Sequence, residues 1–525
     1  MAKAGSMNIA FPHFRWRPAL AAVAAAAALA GCAAPAYKVP QVAAALPEAY
    51  KEVGPWTPAA PADAAPRGDW WTAFGDARLN ALEAQLEAGN PDLAQALARY
   101  GQARALYAQA RADLFPQVGA NAAVGREQES AGRLGSTGRP LRGDNAQVGG
   151  TFSYELDLWG RVRNEVAAGK AEAHASAEDL AATRLSLQAQ LAASYLTLRS
   201  LDAQARVLEL AIENYRKALQ LTQVRHEGGA ASGLDVGQAE TQLRSAEAAR
   251  TDVGAQRALL EHAIASLVGA PATTFQVPVD ATLPPLPPTP VSAPSVLLQR
   301  RPDVAAAERR AFAANRRIGV ARSAFFPTVT LAASGGWQTS SWAQQLLSAP
   351  NAYWSLGPQL AMALFDGGRR RAGVRQANAA FDEASAAYKG VVLTAFQEVE
   401  DNLALLNRIA EETRQEQAAF DAARHTEQIS LSLYRQGAGT YLDVVSAQAA
   451  SLQAERAVIQ LQARRLQASV DLVRALGGGW TDKGLQATNG GSRVGRTLPT
   501  YPRATPSIAI RSWRSDTGLN STADG

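Results

Sequence analysis

Cys32 is the only cysteine in 525 residues, so the single thiol of this chain can form no intramolecular disulfide and no cysteine-rich metal site. Its setting points to covalent attachment instead. Leu29-Ala30-Gly31-Cys32 ends an apolar run, Ala19 to Ala30, that follows the basic residues Lys3, Arg15 and Arg17. These are the parts of a secretory signal with small residues at the cut, and the run is too short and too alanine-rich to span a bilayer as a helix. The other reactive side chains form no constellation. His13, His174, His226, His262 and His425 are scattered without a paired metal spacing, and there is no Gly-x-Ser-x-Gly elbow. Gly437-Ala438-Gly439 is too short for a nucleotide fingerprint, and Glu398 and Glu400 lie among helical residues. The expectation is a chain that is no enzyme and uses neither metal nor soluble cofactor.

The pattern around Cys32 resembles a bacterial lipoprotein signal. That resemblance implies removal of residues 1–31 and a mature chain beginning at Cys32, carrying S-diacylglycerol and N-palmitoyl groups. Ala33, where inner-membrane lipoproteins carry Asp, implies the outer membrane. Without the signal the basic count falls from 52 to 49 against 47 acids, a net charge of about +2 rather than +5. Such a balance gives no reason to expect a nucleic-acid partner. No other apolar run approaches the length of a spanning helix, so a mature chain that crosses a membrane must do so as strands.

The chain is internally duplicated. Asn90-Pro91-Asp92-Leu93 leads to Leu114-Phe115-Pro116, and Arg301-Pro302-Asp303-Val304 leads to Phe325-Phe326-Pro327; both proline pairs are 211 residues apart. Further on, Arg161 and Arg369 are 208 apart, and Gly228 with Leu234-Asp235-Val236 matches Gly437 with Leu442-Asp443-Val444. The implied organisation is a signal (1–31), a lipid-anchored N-terminal segment (32–89), a first repeat (90–270), a proline-rich linker (271–300), a second repeat (301–476) and a C-terminal segment with a glycine- and serine-rich tail (477–525).

Within each copy the pattern predicts a helix, two strands and two long helices. Pro116 and Pro327 stop a helix and open segments of period-two alternation. In Phe152-Ser153-Tyr154-Glu155-Leu156-Asp157-Leu158 the apolar residues share one face, as do Leu356, Pro358, Leu360, Met362 and Leu364. Val118 to Val124 and Val329 to Ala333 are the weaker partner strands, with polar loops expected over Glu127 to Asn145 and Gln338 to Asn351. From Leu180 a heptad seam runs through Leu187, Leu191, Leu198, Leu201, Leu208 and Tyr215; a second runs through Leu442, Val445, Ala449, Leu452, Ile459, Ala463 and Leu466. No proline lies between Pro140 and Pro271, and a helix from about Asn164 to Arg225 would be on the order of 90 Å long.

The duplicated unit, Phe-Pro before a strand, Asp157-Leu158-Trp159-Gly160-Arg161, Leu364-Phe365-Asp366-Gly367-Gly368-Arg369 and the paired Gly…Leu-Asp tips together resemble the TolC/OprM-type outer-membrane factors of tripartite efflux systems. The likeness covers Cys32 to about Trp480, with the lipoprotein branch implied by Cys32. It implies an α+β membrane protein: a homotrimer with a 12-stranded transmembrane β-barrel, four strands per chain, continued by a long α-helical coiled-coil periplasmic tunnel. The implied function is passive export of small molecules from an inner-membrane pump and a periplasmic adaptor to the exterior. Independently, four strands cannot close a barrel in lipid, where single chains use about eight or more. Phe115, Trp159, Phe325 and Phe326 are the expected aromatic girdle, and Arg161, Arg163 and Arg369 to Arg371 could reach headgroups or begin solvated helices.

The tips at Gly228 and Gly437 are, by the same resemblance, the periplasmic aperture and adaptor contact. Asp235 and Asp443 either cap helices or, repeated three-fold, form acidic rings, and the two roles are compatible. Tyr434 falls where some relatives place a closure tyrosine, whereas Gly439 and Ser446 replace the arginine and the acid that others carry there. The alternative is a lipid-anchored periplasmic coiled-coil scaffold without a pore, in which the alternating segments are soluble hairpins.

Overall fold

The computed structural model describes residues 35–41, 50–52, 69–132, 140–287, 301–340 and 346–478, all within one compact unit. Cys32, the signal and the C-terminal tail lie outside the described residues, as does the inter-repeat linker from 288 to 300. A short 3-10 turn (Trp70–Phe74) precedes α1 (Ala77–Gly89) and α2 (Pro91–Ala112). Then come β1 (Gln117–Glu129), β2 (Leu141–Glu155), α3 (Arg161–Glu227) and α4 (Gly233–Leu267). The second half repeats the order as α5 (Pro302–Ser323), β3 (Thr328–Thr339), β4 (Ala352–Ala361), α6 (Arg369–Arg435) and α7 (Tyr441–Ala475).

Local chemistry sets the boundaries. Asn90 caps α2 by accepting from Leu93 N at 2.8 Å, and Pro91 and Pro302 occupy first-turn positions where no amide is needed. The 67 residues of α3 and of α6 each extend roughly 100 Å at 1.5 Å per residue, somewhat longer than the sequence expectation because both begin directly at the glycine that follows the sheet.

The four strands form one antiparallel sheet in the order β1-β2-β3-β4. Register separates its faces. Val118 pairs with Phe152, Phe152 with Ala333 and Ala333 with Leu356; Val148 pairs with Trp337, and Val329 with Leu360. Since side chains alternate, these residues and Tyr154, Leu331 and Trp354 share one apolar face. The opposite face carries Asn121, Gln147, Ser153, Thr330, Ser334, Ser355 and Gln359. Val118 (80% exposed), Trp354 (82%) and Leu360 (70%) have no cover within the chain. On the polar face Tyr353, paired with Gly336, lies across β3 with its hydroxyl 2.7 Å from Gln147 Nε2 on β2, over Gly149, where a Cβ would meet that hydroxyl.

The strands differ from expectation at their ends. β1 and β2 pair out to Glu129 and Leu141, shortening the loop, because ladder bonds do not depend on side-chain polarity. β2 stops at Glu155 and β4 at Ala361, so Leu156, Asp157, Leu158, Met362 and Leu364 leave the alternating pattern.

The main core lies midway along α3, where Leu191, Tyr195, Leu196 and Leu198 pack with Leu79, Leu82 and Leu86 of α1, Ile264 of α4 and Val470 of α7. Arg199 is buried there and pairs with Asp76 at 2.6 Å and Asp280 at 2.7 Å, fixing the segment after α4 to the bundle. The seam expected in α3 is buried at Leu187, Leu191, Leu198, Leu201, Leu208 and Tyr215. In α7 the first half buries Tyr441, Val444, Gln448, Ser451, Val458 and Leu461 instead, with Leu442 56% exposed, whereas from Ala463 onward the expected seam is buried at Ala463, Leu466 and Val470. Apolar residues flank both sides of this alanine-rich helix, so heptad spacing alone does not choose its buried face.

The sheet offers a direct test. A Cβ at Gly336 would stand 2.2 Å from Val148 O, against backbone, whereas one at Gly357 meets nothing within 4 Å. Gly336→Ala is expected to cost about 1–3 kcal/mol of sheet stability and Gly357→Ala much less, read as the thermal dissociation midpoint of the detergent-solubilised assembly.

Candidate functional site

Two regions are built by corresponding residues of the two repeats: the junctions from sheet to helix, and the helical tips. At the first junction Asp157 accepts from Val162 N (3.1 Å) and Arg163 N (2.9 Å) and pairs with Arg163 Nε at 3.1 Å. At the second, Asp366 accepts from Gly368 N (3.0 Å) and Arg370 N (3.1 Å) and pairs with Arg370 Nε at 2.6 Å. Each carboxylate therefore supplies the cap for a helix whose preceding residue, Gly160 at φ 77° or Gly368 at φ 93°, has no capping side chain. Asp157, expected on the polar strand face, is a helix cap. Arg161 forks onto Glu155 at 2.9 and 2.6 Å, tying the end of β2 to the start of α3.

The aromatic residues expected at the interface gather at these junctions. Trp159 stacks on Phe326 with ring centroids 4.8 Å apart and donates Nε1–H to Pro327 O at 2.7 Å, joining the first repeat to the second. Arg370 lies over the Phe325 ring at 5.5 Å. Phe115 is more than half exposed. Apolar rings and guanidinium groups thus meet where strand passes into helix.

At the tips the backbone reverses within a few residues. Gly437 takes φ 77°, as expected of a left-handed turn, but in the first tip that role belongs to Gly229 (φ 74°) and not Gly228. Gly228 still bonds helically, N–H to Val224 O at 3.0 Å, so the reversal comes one residue later. Gly229 and Gly437 are 208 residues apart, the spacing that also relates Asp235 to Asp443. Both aspartates sit in reciprocal capping boxes. Ser232 N donates to Asp235 Oδ2 (2.9 Å) and Asp235 N to Ser232 Oγ (3.2 Å). Thr440 N donates to Asp443 Oδ2 (3.1 Å) and Asp443 N to Thr440 Oγ1 (3.3 Å). The Thr440 hydroxyl, 2.6 Å from Asp443 Oδ2, holds that carboxyl below the usual carboxylate range.

Tyr434 and Tyr441 anchor the tip core with Ala239 and Val444, their rings edge-on at 5.2 Å. Burial lifts the Tyr441 phenol to about 12. A charged contact between the hairpins is made by Arg225, which composition and motif do not single out. Its guanidinium stacks 4.6 Å over the Tyr434 ring and donates to Tyr434 O at 2.8 Å, a carbonyl at the end of α6 that also accepts from Gly437 N at 3.1 Å. The one hint in the sequence is a cation in the last turn of a helix.

A profile of the family described as "Outer membrane efflux protein" matches residues 82–270 and 293–478. The pyoverdine export outer membrane protein OpmQ of Pseudomonas aeruginosa is 34% identical over 430 residues, covering 80% of this chain and 89% of that protein. The outer membrane protein OprJ of the same organism is 33% identical over 417 residues, covering 79% and 87%. The solved outer-membrane channel OprN superposes with a TM-score of 0.77 at 31% identity, covering 86% of this chain and 99% of that one. The fold class is that of a trimeric barrel of twelve strands, four from each chain, continued by a coiled-coil tunnel. The chain belongs to the outer membrane efflux protein family and is an outer-membrane channel component of an efflux system.

Proposed function

We propose that this chain, as a homotrimer, is the passive exit duct of a tripartite assembly, receiving small molecules from an inner-membrane pump through a periplasmic adaptor and performing no chemistry itself. The observation that carries this reading is the sheet: one apolar face, one polar face, and two edge strands, β1 and β4, each with one side unpaired among the described residues. Lipid does not tolerate such edges, and closure among copies satisfies them while turning the polar face to a lumen. A scaffold of soluble hairpins would instead leave Trp354, Leu356 and Leu360 in water.

In this reading the tips, with Gly228, Tyr434, Gly437 and the two aspartates, are the periplasmic aperture and the adaptor contact. Three-fold repetition turns Asp235 and Asp443 into rings whose charge favours cations, while their capping bonds hold them in place. Arg225 links the two hairpins of one protomer, so it resists their separation. Phe115, Trp159, Phe325 and Phe326 set the depth of the barrel, and the lipid on Cys32 adds a second anchor in the outer membrane.

Single-channel recordings in planar bilayers test the aperture. Asp235→Asn with Asp443→Asn keeps an acceptor for each cap but removes the charge, and is expected to reduce cation preference while leaving the pore intact; unchanged selectivity would place the constriction elsewhere. Arg225→Ala removes a charge-assisted bond worth about 1–2 kcal/mol, so open events should rise roughly 5- to 30-fold. Equal open probability in the variant would show that the hairpin contact does not hold the tip closed. Intact-mass measurement checks the anchor: the native protein should carry the three acyl chains on Cys32, and Cys32→Ser should carry none and retain its signal.

A further inference from the structure

A cleft of about 590 Å³ lies between α1 and α3, lined by Asp69, Trp71, Asn80, Glu83, Glu87 and Arg184, among others. Along α3 it sits roughly 30 Å from the sheet end and roughly 60 Å from the tip, at 1.5 Å per residue, so it belongs to neither region described above. Asn80, Glu83 and Glu87 follow one another at helical spacing on one face of α1. Glu87 is satisfied there, pairing with Arg184 at 3.0 Å and accepting from Gln188 Nε2 at 2.9 Å. Glu83 is not. It is 0% exposed, yet neither carboxyl oxygen has a hydrogen-bond partner, and the nearby Asn80 Oδ1 is buried and unpartnered as well. Trp71, 6% exposed, contributes an aromatic ring to the same lining.

The unmet atoms are thus all oxygens, acceptors once Glu83 is ionised, the lining carries three carboxyl groups against one guanidinium, and an aromatic ring stands beside them. Buried acceptors without donors are rare in folded proteins because each loses its water without a replacement. We propose that this cleft is a binding site for a small organic monocation of the primary alkylammonium class. On binding, the Glu83 carboxylate and Asn80 Oδ1, shut off from water in the empty protein, turn into the cleft, where the ammonium donates to both and its alkyl portion lies on Trp71.

The electrostatics give the site a signature. Burial, with the Glu87 charge adding to it, raises the Glu83 carboxyl to about 9. Asp69, Glu87 and Arg184 are the other charged groups that line the cleft. Glu83 therefore holds its proton in the empty site at neutral pH. Binding forms the carboxylate–ammonium pair and releases that proton to the buffer. Affinity consequently rises with pH up to about 9, by up to roughly 10-fold per unit, while a primary amine of the lysine type remains charged over that range.

Isothermal titration of the full-length assembly in detergent with n-butylammonium chloride, at pH 6.5 and 8.5 and in buffers of different ionisation enthalpy, tests this. The expected result is saturable binding, tighter at the higher pH, with about one proton released per ligand at the lower. Glu83→Gln, a near-isostere of the protonated side chain, should weaken binding roughly 10- to 100-fold and abolish the pH dependence. Asn80→Ala should weaken binding while retaining the pH dependence, and so carries the test should Glu83→Gln fail to assemble. Equal binding by native and Glu83→Gln protein, equal binding of neutral n-butanol, or no saturable uptake because the assembled protein already satisfies Glu83 internally would each overturn the proposal. None of these outcomes bears on conduction, which the planar-bilayer recordings read separately.

Discussion

The requirement that every backbone amide and carbonyl find a partner inside a bilayer governs this protein. A four-stranded sheet satisfies it only between its own strands, leaving β1 and β4 with one open side each. The same sheet keeps an apolar face of Val, Leu, Phe and Trp uncovered within the chain. Both conditions are met together when copies close edge to edge, and neither is met by folding the single chain more tightly. Oligomerisation is therefore part of the fold.

A barrel that leads into a helical tunnel needs its chain to change period without leaving polar groups stranded. Each crossing is solved the same way: an aspartate caps the incoming helix, a glycine in the left-handed region turns the backbone, and an arginine binds back to the carboxylate. The second crossing reaches its glycine in one residue fewer, so the repeats are equivalent in chemistry and not in exact length. The Trp159–Phe326 stack and the Trp159 bond to Pro327 then lock one repeat against the other at the base of the sheet. Rigidity is concentrated there and at the core around Arg199, whereas the tips are held by capping boxes, a small cluster of Ala239, Tyr434, Tyr441 and Val444, and Arg225 between the hairpins.

Much of this was legible along the chain because it is local. Prolines at positions 116 and 327, the two-residue alternation after them, the absence of proline across the long helices and the glycine–aspartate tips each carry their meaning within a few residues. Duplication doubled every such signal. Less was legible where neighbouring positions compete. Gly228 and Gly229 are alike in sequence, and only the helical bond retained by Gly228 assigns the reversal to Gly229. In the first half of α7 the heptad pattern could bury either of two adjoining stripes in an alanine-rich helix, and packing against the other helices selects the one containing Val444 and Leu461; beyond Ala463 the expected seam is the buried one.

The sequence by itself determined the element order, the two-copy plan, the strand faces and the acids that cap the tip helices, since spacing and residue type act on the nearest backbone. Tertiary structure alone decided which side chains meet over long separations: Trp159 on Phe326, Arg225 on Tyr434, Tyr353 across Gly336 to Gln147, and Glu83 left without a donor in its cleft. Those contacts depend on strand register and on the rotation of each helix about its axis. Both are set by the sum of many weak packing contacts, and no local pattern encodes them.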